Sequence, residues 1–139
     1  MPEAQTYANH VYRATAWTIT WSVGLVVLLV LVFYAYDQPG YVSFTLVALA
    51  GTVLAAVSLV RVFALRLQNR IIRLEMQVRL ARLGREQELQ KLAMPQIVAL
   101  RFASDAELPA LLDRAMSENL PPDAIKRAVR DWQGDYLRT

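Results

Sequence analysis

Few residues of this chain have the type and spacing that chemistry requires. There are no cysteines, so neither a disulfide framework nor thiol chemistry is available. The one histidine, His10, has Asn9 and Tyr12 beside it and no second imidazole, so it could hold a haem or chlorin only with a ligand from elsewhere. Trp17 and Trp21 stand four apart and would stack on one helix face. That suits a pigment contact, but an interfacial belt and lipid contact suit it better. Arg101 and Asp105 share the same spacing. They can pair across one helical turn, or Arg101 can fork onto the carboxylate or phosphate of a partner. No glycine-rich phosphate loop and no metal-ligand spacing occur, and the carboxylates fall as ordinary helix-surface acids. The inventory points away from an enzyme, and from a bound metal, cofactor or small-molecule substrate.

The elements that must carry these residues follow from where charge is missing. The chain has 139 residues and a net charge of +3. Ala14–Tyr36 and Tyr41–Val60 contain no Asp, Glu, Lys or Arg, and the remaining residues carry all 27 charges. As a helix the first run reaches roughly 34 Å at about 1.5 Å per residue, enough for a hydrocarbon core of about 30 Å, and the second just suffices. Both are rich in valine, but within lipid the backbone must satisfy itself, which favours helix. The first run is too long for a signal-peptide core and lacks a good cleavage site, so it reads as a retained span. Asp37-Gln38-Pro39-Gly40 is a turn that can join only neighbouring antiparallel helices. Aromatic residues flank both ends: Tyr34, Tyr36, Tyr41 and Phe44 at the turn, Tyr12 and Trp17 at the other side.

Positive charge sets the orientation. Between Arg61 and Arg85 lie seven arginines and one acid, Glu75, a net +6. The turn has no Lys or Arg. The positive-inside rule therefore places this tract, and with it both termini, in the cytoplasm of a bacterial inner membrane. Arg61, Arg66, Arg70 and Arg73 are expected to meet anionic headgroups, with Trp17 and Tyr41 as interfacial anchors. Arg79, Arg82 and Arg85 read as a solvated helix face supported by Glu75–Arg79 and Arg82–Glu86 pairs. Residues 95–139 hold six basic and seven acidic residues, so nucleic acid is a poor fit.

Small residues suggest how the spans meet. Ala16, Thr20 and Gly24 form one stripe; Ala48, Gly51, Ala55 and Ser58 form another. Close backbone approach is what packs helices in lipid, so the spans are expected to cross near Gly24 and Gly51, with Thr20 beside Ala55. The alternative is that one stripe faces another subunit. Beyond the second span nothing breaks the helix before Gly84. Within it Leu67, Ile71, Leu74, Val78 and Ala81 repeat as a heptad seam, and Ile72, Met76, Leu80 and Leu83 widen the apolar face. Such a surface needs another helix, another copy, or the C-terminal domain.

Arg85–Lys91 reads as a linker or continuing helix. Three helices should follow: Pro95 to about Ala103, a second ending near Asn119, and a third from Leu120-Pro121-Pro122-Asp123 to about Tyr136. Ser104-Asp105-Ala106-Glu107 has the pattern of a capping box for the second. Ile97, Leu100, Leu108, Leu111, Leu112, Met116, Leu120, Ile125, Val129 and Trp132 supply a core near the lower size limit, which the basic helix can help complete. The chain is thus all-α: residues 1–13 an N-terminal arm, 14–60 a two-helix transmembrane hairpin, 61–94 a basic helix with linker, and 95–139 a small three-helix cytoplasmic domain.

The segment from Gln96 to Asp105 (QIVALRFASD), then Glu107, Pro109-Ala110-Leu111, Ile125-Lys126 and Trp132, resembles the C-terminal signature of a family of small bacterial two-span membrane proteins known only as a domain of unknown function. Pro121 stands where serine is common in that family, and Gln133-Gly134-Asp135-Tyr136 is less basic than usual. The resemblance implies the two spans, the basic helix and the terminal segment, and no activity. The expectation is a non-catalytic accessory or scaffold subunit of a larger membrane complex. The alternatives are a self-associating membrane adaptor and an anionic-lipid-binding regulator, with an enzyme the weakest reading.

Overall fold

The computed structural model describes residues 6, 7 and 14–134; His10, Tyr12, Arg13 and Tyr136 lie outside the described residues. Among these the protein is all-helical, with no strand: α1 (Thr15–Asp37), α2 (Tyr41–Arg82), a 3-10 helix (Glu86–Lys91), α3 (Met94–Leu100), α4 (Leu108–Ser117) and α5 (Pro122–Ala128). They form two compact units, one of residues 14–65, the other of residues 66–134 with Thr6 and Tyr7. α2 contributes to both.

In the first unit, α1 and the first half of α2 are long and apolar enough to cross a membrane. Within the helices Thr18 Oγ1 donates to the Ala14 carbonyl (3.1 Å), Thr45 Oγ1 to that of Tyr41 (2.7 Å), Thr52 to Ala48 (2.8 Å) and Ser58 to Leu54 (2.9 Å). At the turn the buried Ser43 hydroxyl lies 2.7 Å from the Gln38 carbonyl and 3.0 Å from that of Gly40. The helices touch antiparallel. The less exposed positions of α1 include Trp17, Trp21, Gly24, Leu28, Leu31 and Ala35; those of α2 include Val47, Ala50, Leu54, Val57, Arg61 and Ala64. Both sets alternate steps of three and four, the spacing of a knobs-into-holes seam.

The contact departs from the stripe-on-stripe expectation. Gly24 receives Leu54: a Cβ at Gly24 would stand 2.8 Å from Leu54 Cδ2. Gly51 faces open space, with nothing within 4 Å of such a Cβ, and Thr20 and Ala55 are exposed. The reason is that a hole needs a knob. Leu54 occupies the hole that Gly24 leaves, so one small residue packs opposite one large side chain and the second glycine takes no part.

The second unit is built around α2. Its end is a Schellman cap. Gly84, at φ +70°, donates to the Ala81 carbonyl (3.0 Å), and Arg85 N to that of Leu80 (2.8 Å). Asn119, at φ +45°, serves α4 similarly, with Leu120 N donating to Ala115 O at 3.1 Å. Ile72, Met76 and Leu80 of α2 enter one core with Leu89, Ile97, Leu100, Phe102, Leu108, Leu112 and Ile125. The short C-terminal helices do not make a core of their own; one stripe of the basic helix completes it.

The terminal elements are shorter than the sequence suggests. α5 ends at Ala128, because the chain then turns to pair with residues 102–104. Ala103 and Trp132 bridge, Gln133 N donates to Phe102 O (2.8 Å), and Ser104 N donates to Asp131 O (3.2 Å). Ser104 does not cap α4. Glu107 is its N-cap residue, and the Glu107 carboxylate accepts from Arg130 N across the fold (3.2 Å) rather than reaching back. The 3-10 helix occupies the expected linker, and α3 starts where Gln96 Oε1 accepts the Ala93 amide (3.0 Å) while its Nε2 donates to Leu120 O (3.0 Å).

Arg79 is the polar centre of this unit. Its guanidinium donates from Nε to Asp105 Oδ1 (2.7 Å), from Nη1 to Arg101 O (3.0 Å) and from Nη2 to Ala103 O (2.6 Å). The expected Glu75–Arg79 and Arg101–Asp105 pairs are therefore replaced, because Arg79 turns inward and takes Asp105.

Arg79→Ala should lower the stability of this unit by about 2–3 kcal/mol. Arg79→Lys should recover little of it, since one ammonium cannot span three acceptors. Amide exchange across residues 97–104 measures both. In the first unit, Gly24→Val should cost about 1–3 kcal/mol by overpacking against Leu54. Gly51→Ala, with open space at its Cβ in mid-helix, should instead stabilise by about 0.5–1 kcal/mol and raise the thermal midpoint.

Candidate docking face on the basic helix

The two apolar stripes of the basic helix have opposite fates. Ile72 is 3% exposed and Met76 and Leu80 0%, all inside the core; Leu67, Ile71, Leu74 and Val78 are 58%, 58%, 61% and 53% exposed. The stripe that merely widened the face in the sequence is the one the C-terminal helices cover. The heptad seam stays open. Ile71, Leu74 and Val78 form the floor of an open apolar groove of about 590 Å³, with Glu75, Arg79 and Arg82 along it and Asp105 and Gln133 at its rim.

The arginines divide by what they touch. Arg61 is half-buried, its guanidinium 5.8 Å from the Trp17 ring, and Trp17 stacks on Trp21 with centroids 6.4 Å apart. Trp21 Nε1 donates to Ser58 Oγ (3.1 Å). This cluster fastens α1 to α2. Arg66, Arg70 and Arg73 are exposed, as is Tyr41 at the start of α2. Arg79 and Arg85 are not a solvated face. Arg85 holds Glu88 through two nitrogens (2.9 and 2.6 Å), Pro109 O (3.1 Å) and the Asp113 carboxylate. The hydrogen bonds to Glu88, then to Asp113, push its guanidinium above the ordinary arginine range. Arg101, which the sequence offers either to Asp105 or to a partner, is buried, and its guanidinium lies 5.0 Å from the Phe102 ring.

Two contacts had no sequence signal. Phe102 and Trp132 pack with ring centroids 4.9 Å apart and close the core at the bridge. Tyr7 of the N-terminal arm donates to Asp123 Oδ1 (2.7 Å) and accepts from Arg127 Nε (3.0 Å), with the Arg127 guanidinium 5.3 Å from its ring. Tyr7 and α5 are more than a hundred residues apart, beyond the reach of any local pattern. No group of three or more His, Cys, Asp or Glu that could hold a metal ion occurs among the described residues.

A family model described as a family of unknown function (DUF6526) matches residues 1–139. The chain belongs to that family. No curated protein and no solved structure matches it. For this DUF6526 chain, then, the open seam has to be read from its own chemistry.

The two stripes should respond differently to a polar group. Met76→Asn should cost the second unit about 2–5 kcal/mol, by lost burial and an unmatched amide in the core. Leu74→Asn should change its stability by no more than about 0.5 kcal/mol. Exchange protection of the Leu100 and Leu112 amides separates the two.

Proposed function

We propose that this chain is a non-catalytic docking subunit of the bacterial inner membrane. The α1–α2 hairpin is its anchor and the basic helix with its C-terminal helices is a cytoplasmic docking module. The observation that carries this reading is the exposed heptad seam of Leu67, Ile71, Leu74 and Val78 on a helix whose opposite stripe is already buried. Four large apolar side chains at coiled-coil spacing, more than half exposed, form a surface that association would remove from water.

Topology supports the anchor. The charge-free runs match bilayer thickness, and the net +6 from Arg61 to Arg85 directly follows the second run. Contact of Tyr7 with Asp123 and Arg127 fits both termini on one side of the membrane. Exposed Arg66, Arg70 and Arg73 suit anionic headgroups at that side, a lipid contact that accompanies docking.

The test has two parts. Protease added to inside-out vesicles should cut residues 61–139, whereas a tag inserted in the 38–40 turn should be reached only from the opposite face. Wild-type protein extracted from native membranes should run in an assembly larger than one chain, and an Ile71→Asp/Leu74→Asp variant should run as the single chain. A wild-type chain that is monomeric in its own membrane overturns the docking reading.

A further inference from the structure

The open seam has a register that specifies its occupant. We propose that a second copy of this chain fills it, the two α2 helices forming a parallel two-stranded coiled coil over residues 67–81. The proposal rests on the docking reading above and names the partner.

Spacing assigns the heptad positions. Leu67, Leu74 and Ala81 fall at d; Ile71 and Val78 fall at a. β-branched residues at a with leucine at d is the combination that favours two parallel strands over three or four. On the same assignment Ile72 and Arg79 are b, Leu80 is c and Met76 is f. These outer positions are the ones the C-terminal helices cover. The fold therefore occupies the b/c/f side of the helix and leaves the a/d side, with its e and g flanks, exposed.

Charge on the flanks matches. In a parallel pair, a g residue lies beside the e residue of the next heptad on the other chain. Here g is Arg70 and the following e is Glu75. Glu75 is the only acid among seven arginines from 61 to 85. At e it faces Arg70 of a second copy, so the dimer would hold two Arg70–Glu75 pairs, one on each side of the twofold. Neither Arg70 nor Glu75 has an ion-pair partner among the described residues, Arg79 having turned away to Asp105. The next pair is Gln77 with Arg82, which opposes no like charges.

Two heptads are too few to pair from dilute solution. Membrane anchoring changes that. Copies inserted with one topology are already parallel, and confinement to a surface raises their effective concentration. A twofold axis along the membrane normal then makes the seam self-complementary.

The cysteine-free sequence gives a direct test. Single cysteines are placed in the full chain in native membranes at d (Leu67→Cys, Leu74→Cys), at c (Arg73→Cys) and at f (Asn69→Cys). All four native side chains are exposed, so none of these changes threatens the fold. Mild oxidation should give a homodimer disulfide at both d positions at least tenfold faster than at c or f. Adding Arg70→Glu to Leu74→Cys should slow it several-fold, and adding Glu75→Arg as well should restore it. Equal rates at all four positions, or no dimer at d, overturns the homodimer. If the wild-type chain still runs in a larger assembly, the docking reading stands with another occupant; if it runs as a monomer, both fall.

Discussion

A guanidinium is hard to bury, because it carries five N–H donors and a permanent charge. Arg79 is buried nonetheless, and the second unit is arranged around that fact. Its nitrogens reach the carbonyls of Arg101 and Ala103 and the carboxylate of Asp105. Those acceptors all come from the short link between α3 and α4, whose backbone groups would otherwise lack partners after α3 ends at Leu100. Arg79 thus satisfies the loop, and the loop satisfies Arg79. With that link fixed, Ser104 and Phe102 are held to pair with Asp131 and Gln133, and Phe102 meets Trp132. The apolar stripe of Ile72, Met76 and Leu80 is drawn into the core by the same attachment. An arginine in a tract that looked like a topology signal is a keystone of packing.

That attachment also decides which apolar surface is left over. A helix with apolar stripes on two sides can turn either toward its own C-terminal helices. Arg79 lies one turn from Met76 and two from Ile72 on the covered side, so its bonds select that side. Leu67, Ile71, Leu74 and Val78 are exposed as a consequence. The open seam is not an oversight of packing. It is the face opposite the one an ionic clamp has chosen.

The broad architecture was legible because it rests on long, redundant signals. Two charge-free runs, a Pro-Gly turn and an unbroken helix-forming tract each span many residues, and no single contact has to be guessed. Gly84 as the stop of α2 was legible for a local reason, since a Schellman cap needs a left-handed residue there. What escaped depends on partners distant in sequence. Ser104 and Glu107 satisfy the capping-box pattern, yet Glu107 is taken by Arg130. Arg101 and Asp105 have pairing distance on paper, but Asp105 is taken by Arg79. Gly24 and Gly51 match in depth, but Leu54 occupies the hole at Gly24 and leaves Gly51 outside the contact. In each case the spacing rule names a contact that is possible, and the three-dimensional competition for one acceptor or one hole decides whether it forms.

The same competition changes what the charge count means. Seven arginines between 61 and 85 suggest a uniformly basic surface. Arg79 and Arg85 are committed to Asp105, Glu88 and Asp113, and Arg61 lies over Trp17. That leaves Arg66, Arg70, Arg73 and Arg82 exposed. On the proposed membrane reading, the positive-inside rule counts charge during insertion, before the fold exists, so all seven would contribute to orientation. On the same reading, headgroup attraction would act on the folded chain, so only the exposed ones would contribute to that. One tract of sequence would then serve two electrostatic roles in succession. The arginines withdrawn from the second are the ones the fold has taken for its own contacts.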